Sequence, residues 1–235
     1  MDIQEKNVST ATQAASPQNE TKKKTGIRLL LISQSIVPAL AIAIVLTLFA
    51  RSGLVSGLET EVLTGLSMLA EATMAGYSNM DGDYHFENNI FYKGEVNLTE
   101  EMAELDNYVT GSDAAVTVCF GPTRVMTTLT DITTGERIIG TNVSDAVWEK
   151  IQRGEVYTAT HIMINNADYA ACYVPLKNPD GSIVGIVFAG KPRVEIDQFI
   201  NSKVSNIIIL AVVLSIAFII VGYFVANTIA KCLIK

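Results

Sequence analysis

AAVTVCFGPTRVMTTL, residues 114–129, reads as two strands folded back on each other. Val, Thr, Cys, Phe and Met stand on both sides of Gly121-Pro122, and β-branched and aromatic residues suit a pleated, half-buried surface. Glycine accepts the backbone of a tight turn, and proline has no N–H with which to extend a ladder. The spacing therefore predicts strands over 114–120 and 123–129, joined as a hairpin.

Reading on from this hairpin, Ser144 caps and Gly154 stops an amphipathic stretch, which predicts a helix over 144–153. Three more strands follow, over 156–164, 168–176 and 183–191, turned by Asn165-Asn166 and by Asn178-Pro-Asp-Gly. Pro192 suits the first turn of a helix that runs on past Phe199. Upstream, Asn97 with Glu100 three residues on reads as a capping box that opens a helix to about Val109. Residues 76–94 read as a polar loop; Asp81, Asp83 and His85 alternate in it, without the glycine and terminal glutamate of a calcium loop. Before the loop, Val55, Leu58, Val62, Leu66, Leu69 and Thr73 recur at helical steps, a stripe that suits either its own domain or a partner helix. The order of elements predicts an α+β domain over 51–206, with a five-stranded antiparallel sheet, helices on one face and a long N-terminal helix.

Two apolar blocks, 27–50 and 207–230, bracket that domain. A helix needs roughly 20 apolar residues to cross the hydrocarbon core, so both qualify as transmembrane helices. Lys22, Lys23, Lys24 and Arg28 lie at the outer edge of the first and Lys231 and Lys235 at that of the second, which predicts that both termini are cytoplasmic. The first block is too long for a signal peptide and has no small-x-small cleavage site after it. The domain between the blocks has 10 Lys and Arg against 21 Asp and Glu, a net charge of −11 that fits an extracytoplasmic domain with no nucleic-acid partner. Residues 1–26 are polar and lysine-rich and read as a disordered cytoplasmic tail, while 231–235 form the second cytoplasmic end. Small residues at four-residue steps, Ser35, Ala39 and Ala43 with Gly222 and Ala226, allow helices to approach closely, as in a homodimer built on the membrane helices and the long helix.

Catalysis finds little support. The chain has two histidines, no Gly-x-Ser-x-Gly elbow, and no metal-ligand spacing among its three cysteines. Cys119 and Cys172 fall in predicted strands, where two buried thiols or a disulfide are both open.

Four stretches resemble the single Cache domains of bacterial methyl-accepting chemotaxis proteins. They are Phe91-Tyr-Lys-Gly with Asn97-Leu-Thr; Gly121-Pro-Thr-Arg-Val-Met-Thr-Thr; Arg137-Ile-Ile-Gly-Thr; and Tyr173-Val-Pro-Leu-Lys-Asn-Pro-Asp-Gly running on to Gly185-Ile-Val-Phe-Ala-Gly-Lys-Pro. The likeness covers most of 51–206, with Pro122 standing where members usually carry Asp. It implies a PAS-like sheet whose concave face holds a small extracellular solute, such as an organic acid. A conformational signal would pass through the second membrane helix to a HAMP relay, which would start where this chain stops, at Lys235. The same input would also serve a histidine kinase or a cyclic-dinucleotide enzyme.

In related citrate and dicarboxylate sensors an arginine on the second strand binds the ligand carboxylate, and Arg124 matches that position. Those relatives carry a histidine three residues later and basic residues on the fourth strand. Here the positions hold Thr127, Ala171 and Tyr173, so the resemblance implies a ligand with a single carboxylate. Tyr169 and Tyr173 share one face of the fourth strand, and Tyr157 and His161 share one side of the third. The expected ligand contacts are therefore Arg124, Thr127, Tyr169, Tyr173, Tyr157 and His161, with neither metal nor cofactor. Trp148 reads as a core anchor.

Overall fold

A computed structural model of the chain describes residues 17–131 and 133–233. It has two units: Arg51–Val204 in one, and the flanking segments of 1–50 and 205–235 in the other. In chain order the elements are α1 (Pro17–Ser78), β1 (Tyr84–Glu87), β2 (Ile90–Lys93), β3 (Val96–Asn97), α2 (Met102–Val109), β4 (Ala115–Phe120), β5 (Thr123–Thr127), α3 (Asp145–Gln152), β6 (Tyr157–Ile164), β7 (Ala167–Lys177), β8 (Ile183–Pro192) and α4 (Arg193–Leu233).

The large sheet is antiparallel throughout, in the order β5-β4-β8-β7-β6. The 114–129 reading holds: Phe120 pairs with Thr123 across Gly121-Pro122. Gly121 has φ +56°, and the ring of Pro122 fixes its φ negative, the sign order of a type II′ hairpin turn. At the β6–β7 turn both residues are left-handed, Asn165 at φ 47° and Asn166 at φ 64°, which asparagine tolerates better than most residues.

Both faces of the sheet are covered, where the sequence led us to expect one. Val116, Val118, Cys172, Val174, Val187 and Ala189 pack with Leu66 and Ala70 of α1 and Ile196 and Ile200 of α4. On the other face Cys119, Ala171, Tyr173, Ile186 and Phe188 pack with Val147 and Ile151 of α3, and Trp148 leans on this cluster. Each large side chain taken out of water here contributes about 1.5–3 kcal/mol, so a sheet with apolar residues on both faces gains from a second cover. The periodic stripe on α1 is used inside its own domain: Leu66 and Thr73 are buried, while Val55, Leu58, Val62 and Leu69 pack against the same core.

Four other expectations change. Residues 76–94 are not a loop: α1 continues to Ser78, and β1 and β2 form a hairpin about Asn88-Asn89, at φ 50° and 69°. Its Phe91 is fully buried and packs at a tilt against Phe120, 6.1 Å between ring centroids, which ties this small sheet to the main core. At Asn97 the capping box does not form: Nδ2 donates to the Glu100 side chain, at Oε1 and 2.9 Å, and Oδ1 accepts from Thr99 N and so closes a local turn. α2 therefore starts only at Met102, capped without a side-chain bond. Pro192 ends β8 opposite Tyr169, and the helix begins at Arg193. Finally, residues 17–26, read as part of the disordered tail, are helical; proline is preorganised for a first helical position and lysine is a good helix former. The rest of that tail, residues 1–16, lies outside the described residues, as does 234–235 of the C-terminal end.

In the other unit many of the described apolar side chains of α1 and α4, Phe49, Phe218 and Phe224 among them, are exposed. Two helices long and apolar enough to cross a membrane thus flank the sheet unit in sequence. At Gly222 a Cβ would lie 3.9 Å from Ile36 Cγ1, an ordinary contact, so a methyl would fit there. The spacing read at Ser35, Ala39 and Ala226 depends on side chains outside the described set, as does any reading of Cys232. Cys119 and Cys172 are free and belong to clusters on opposite faces of the sheet, so they cannot be bonded to each other.

Candidate functional site

On the α3 side of the sheet, the segment between β5 and α3 returns along the edge of β5 and leaves a cavity of about 220 Å³. Backbone bonds fix the returning segment: Arg124 N donates to Thr141 O, Gly140 N to Arg124 O, and Val143 N to Pro122 O, all at 2.8–2.9 Å. A bulge in β5 between its pairings with Val118 and Cys119 sets Arg124 opposite Cys119, on the cavity face. Arg124 is only 7% exposed. Its Nη1 donates to Thr141 Oγ1 at 2.9 Å and to the Asn142 carbonyl at 2.8 Å, which uses both hydrogens of that nitrogen. No carboxylate among the described residues pairs with it, and Nε and Nη2 have no protein acceptor there.

Tyr173 of β7 forms the wall across from this cation. It is 1% exposed and is held between Tyr157, at 5.8 Å between ring centroids, and Phe188, at 5.0 Å. Burial raises its phenol pKa, opposed by the nearby Arg124 guanidinium, so it stays protonated. Beneath, burial pushes the Cys119 thiol up to about 12. Ile138, Val143, Ile162 and Ile164 supply the apolar remainder, with Asn142 and Asn165 as polar groups at the rim. The cavity thus combines one buried cation, neutral hydrogen-bonding groups and an aliphatic wall, a pattern suited to a small ligand with one charged end. A hollow of about 400 Å³ between the apolar parts of α1 and α4 has no ionisable group in its lining.

The structure brings Arg124 and Tyr173 to one cavity and leaves the four other expected contacts outside its lining. Thr127 is buried, its hydroxyl 2.6 Å from that of Thr117 and accepting from Leu129 N. Tyr157 backs Tyr173, with the Lys150 ammonium over its other side at 4.6 Å. Tyr169 packs in the same apolar cluster, opposite Ile162. His161 is turned away: β6 carries one extra residue between Ala159 and Ile162, so Tyr157 and His161 do not share a side. Its ring bonds Asp168 at 2.8 Å on the exposed surface. Thr141, Asn142, Asn165 and the 162–164 wall were not anticipated from sequence. The place of Arg137-Ile-Ile-Gly-Thr141 beside the cavity follows from its paired return along β5 and not from the motif.

The returning segment is also tied down at its far end. Asp131 Oδ2 accepts from Asn165 Nδ2 at 2.8 Å, and Asp131 Oδ1 accepts from the backbone N–H groups of Thr133 and Thr134. Arg137 binds both carboxylate oxygens of Asp106 in α2, at 2.9 and 2.7 Å. The Asn165 amide first, and then those N–H groups, hold the Asp131 carboxyl below its ordinary value of 3.8. A depressed carboxyl keeps its ties above the unfolded value and loses them as pH falls through the folded one. The tie to the β6–β7 turn is therefore expected to persist through neutral pH and to open only below about pH 4. Asn165→Ala should move the Asp131 titration midpoint upward, as read by carboxyl-detected NMR.

Residues 95–203 match the family model described as Single cache domain 3. Among solved structures, the E. coli DcuS sensor domain is similar at 18% identity and TM-score 0.39, over 63% of this chain and 97% of that one. No curated protein matches. The sheet unit has a Cache-type, PAS-like fold.

Proposed function

We propose that this chain is the input half of a transmembrane chemosensory receptor, which binds a small extracellular monocarboxylate in the Arg124 cavity and signals through α4. The observation that carries this reading is the state of Arg124. It is a buried guanidinium whose Nη1 is spent on neutral acceptors, and its Nε and Nη2 edge has no partner among the described residues. Taking a cation out of water costs several kcal/mol unless a counter-charge compensates. The Nε/Nη2 edge presents two parallel N–H bonds, the geometry that a carboxylate accepts bidentately. With no second cation in the lining, a tricarboxylate would leave charges uncompensated. The two apolar helices and their basic outer flanks support a membrane-anchored chain with cytoplasmic termini and the sheet unit outside. A homodimer and a HAMP-type output following α4 complete the proposal.

A thermal-shift screen on the detergent-solubilised full chain tests the ligand class. Acetate, propionate, lactate and pyruvate are compared with citrate and with propionamide. At about a hundredfold excess over Kd, mass action raises stability by about 2.7 kcal/mol, or roughly 5–10 °C for a domain of this size. At least one monocarboxylate is expected to give that shift, with propionamide and citrate inert. Equal shifts from propionamide, or a larger one from citrate, would refute the assignment.

A further inference from the structure

Arg193 opens α4 with its side chain only 8% exposed and holds three groups at once. Nη2 donates to Glu59 Oε1 of α1 at 2.6 Å, and Nε donates to Asp197 Oδ1, one turn along α4, at 2.8 Å. Nη1 reaches the backbone carbonyl of Thr160 at 3.5 Å. Thr160 lies in the β6 bulge, between Ala159, which faces Ala171, and Ile162, which faces Tyr169. A bulge interrupts the regular ladder, so its backbone groups are free to take other partners. The aliphatic wall of the cavity, Ile162 to Ile164, begins two residues further on. Val62, Ala170 and Ile196 close around these groups and leave no room for a water molecule.

A buried ion pair contributes little net stability, because desolvation offsets most of the attraction. What the guanidinium supplies is geometry: its rigid fork fixes several acceptors relative to one another, which a lysine ammonium on its flexible stem does not. Cavity wall, α1 and α4 thus meet at a single side chain.

We propose that Arg193 is the positioning residue that couples filling of the cavity to α1 and α4 together. Movement of the β6 wall shifts the Thr160 carbonyl, and the guanidinium carries that shift to Glu59 and Asp197. Both helices then respond at one level, rather than α4 alone through β8. This rests on the cavity being the ligand site.

Hydrogen exchange on the full chain in detergent tests it without any ligand. Glu59 makes no hydrogen bond to β6 among the described residues, and its polar link to β6 runs through Arg193, so Glu59→Gln tests that link without touching the guanidinium. The expected result is an increase of about tenfold in exchange at 159–163, with β4 and α3 unchanged. Arg193→Lys should give the same pattern, and stands in if Glu59→Gln does not fold. A change confined to α1, or a uniform rise across the whole sheet, would show a purely structural ion pair and overturn the proposal. A second arm adds acetate, propionate or lactate. In the wild type, slower exchange at 162–164 should be accompanied by changes at 56–60 and 194–198. Arg193→Lys should keep the first and lose the second. If no carboxylate alters the wild type, the ligand assignment fails, and the ligand-free arm still decides the role of Arg193.

Discussion

Arg124→Met is expected to weaken monocarboxylate binding by about thirtyfold or more, while leaving the unliganded protein close to its original melting temperature. The two halves of this result have one cause. Removing one partner of a desolvated charge pair costs about 2–5 kcal/mol in binding, which corresponds to some thirtyfold to several thousandfold in affinity. Without ligand, the same cation is bonded only to neutral groups, so its removal also removes a desolvation penalty. The acceptors left behind are the Thr141 hydroxyl and the Asn142 carbonyl, on two exposed residues that line the cavity, where water can take the place of the guanidinium. Arg124→Lys keeps the charge and loses the two-pronged geometry, and should fall between the two, about tenfold weaker than wild type. Isothermal titration with the tightest monocarboxylate from the screen, beside a thermal melt of each variant, separates the effects. Unchanged affinity in Arg124→Met would remove this cavity as the binding site and leave the fold reading as it stands.

Gly185→Ala is expected to be the most damaging single methyl in the sheet. A Cβ there would lie 1.9 Å from the carbonyl oxygen of Cys119 and 3.3 Å from Cα of Phe120, and both atoms belong to the backbone of β4. No rotamer change relieves such a clash. Gly185 pairs with Phe120 on one side and Leu176 on the other, so β8 cannot shift away from β4 without disturbing β7. Overpacking of this kind costs about 3 kcal/mol, which for a domain of this size lowers Tm by roughly 6–12 °C. Chemical denaturation should show a lower midpoint at unchanged slope. A loss below about 0.5 kcal/mol, the usual range for surface substitutions, would mean that the β4–β8 contact is looser than it stands here.

How much of this could be read in advance depended on the range over which each signal acts. Gly121-Pro122 and Asn165-Asn166 marked their turns because turn chemistry is local, and the large sheet followed from them. The same local signal was present at Asn88-Asn89 between two aromatic-rich runs, but the acidic residues just before it made the segment look like solvent-exposed loop. Burial of Phe91 against Phe120 settles the matter, and that contact joins residues 29 positions apart. The cavity was legible at Arg124 and Tyr173 through family likeness. His161 was misplaced because a bulge adds one residue to β6, and strict alternation along a strand cannot foresee an irregularity in its partner pairing. Thr141, Asn142 and Asn165 reach the cavity by chain return and by a turn, neither of which leaves a periodic trace.

The two strand cysteines bear on where this domain can mature. Each thiol is sealed in a different hydrophobic layer with the sheet between them, so no covalent staple contributes to the fold. The sheet unit therefore holds together without a disulfide, and it should reach its native form as readily in a reducing cytosol as in an oxidising space outside the membrane. A domain built this way would keep its shape across changes in the redox state of its surroundings.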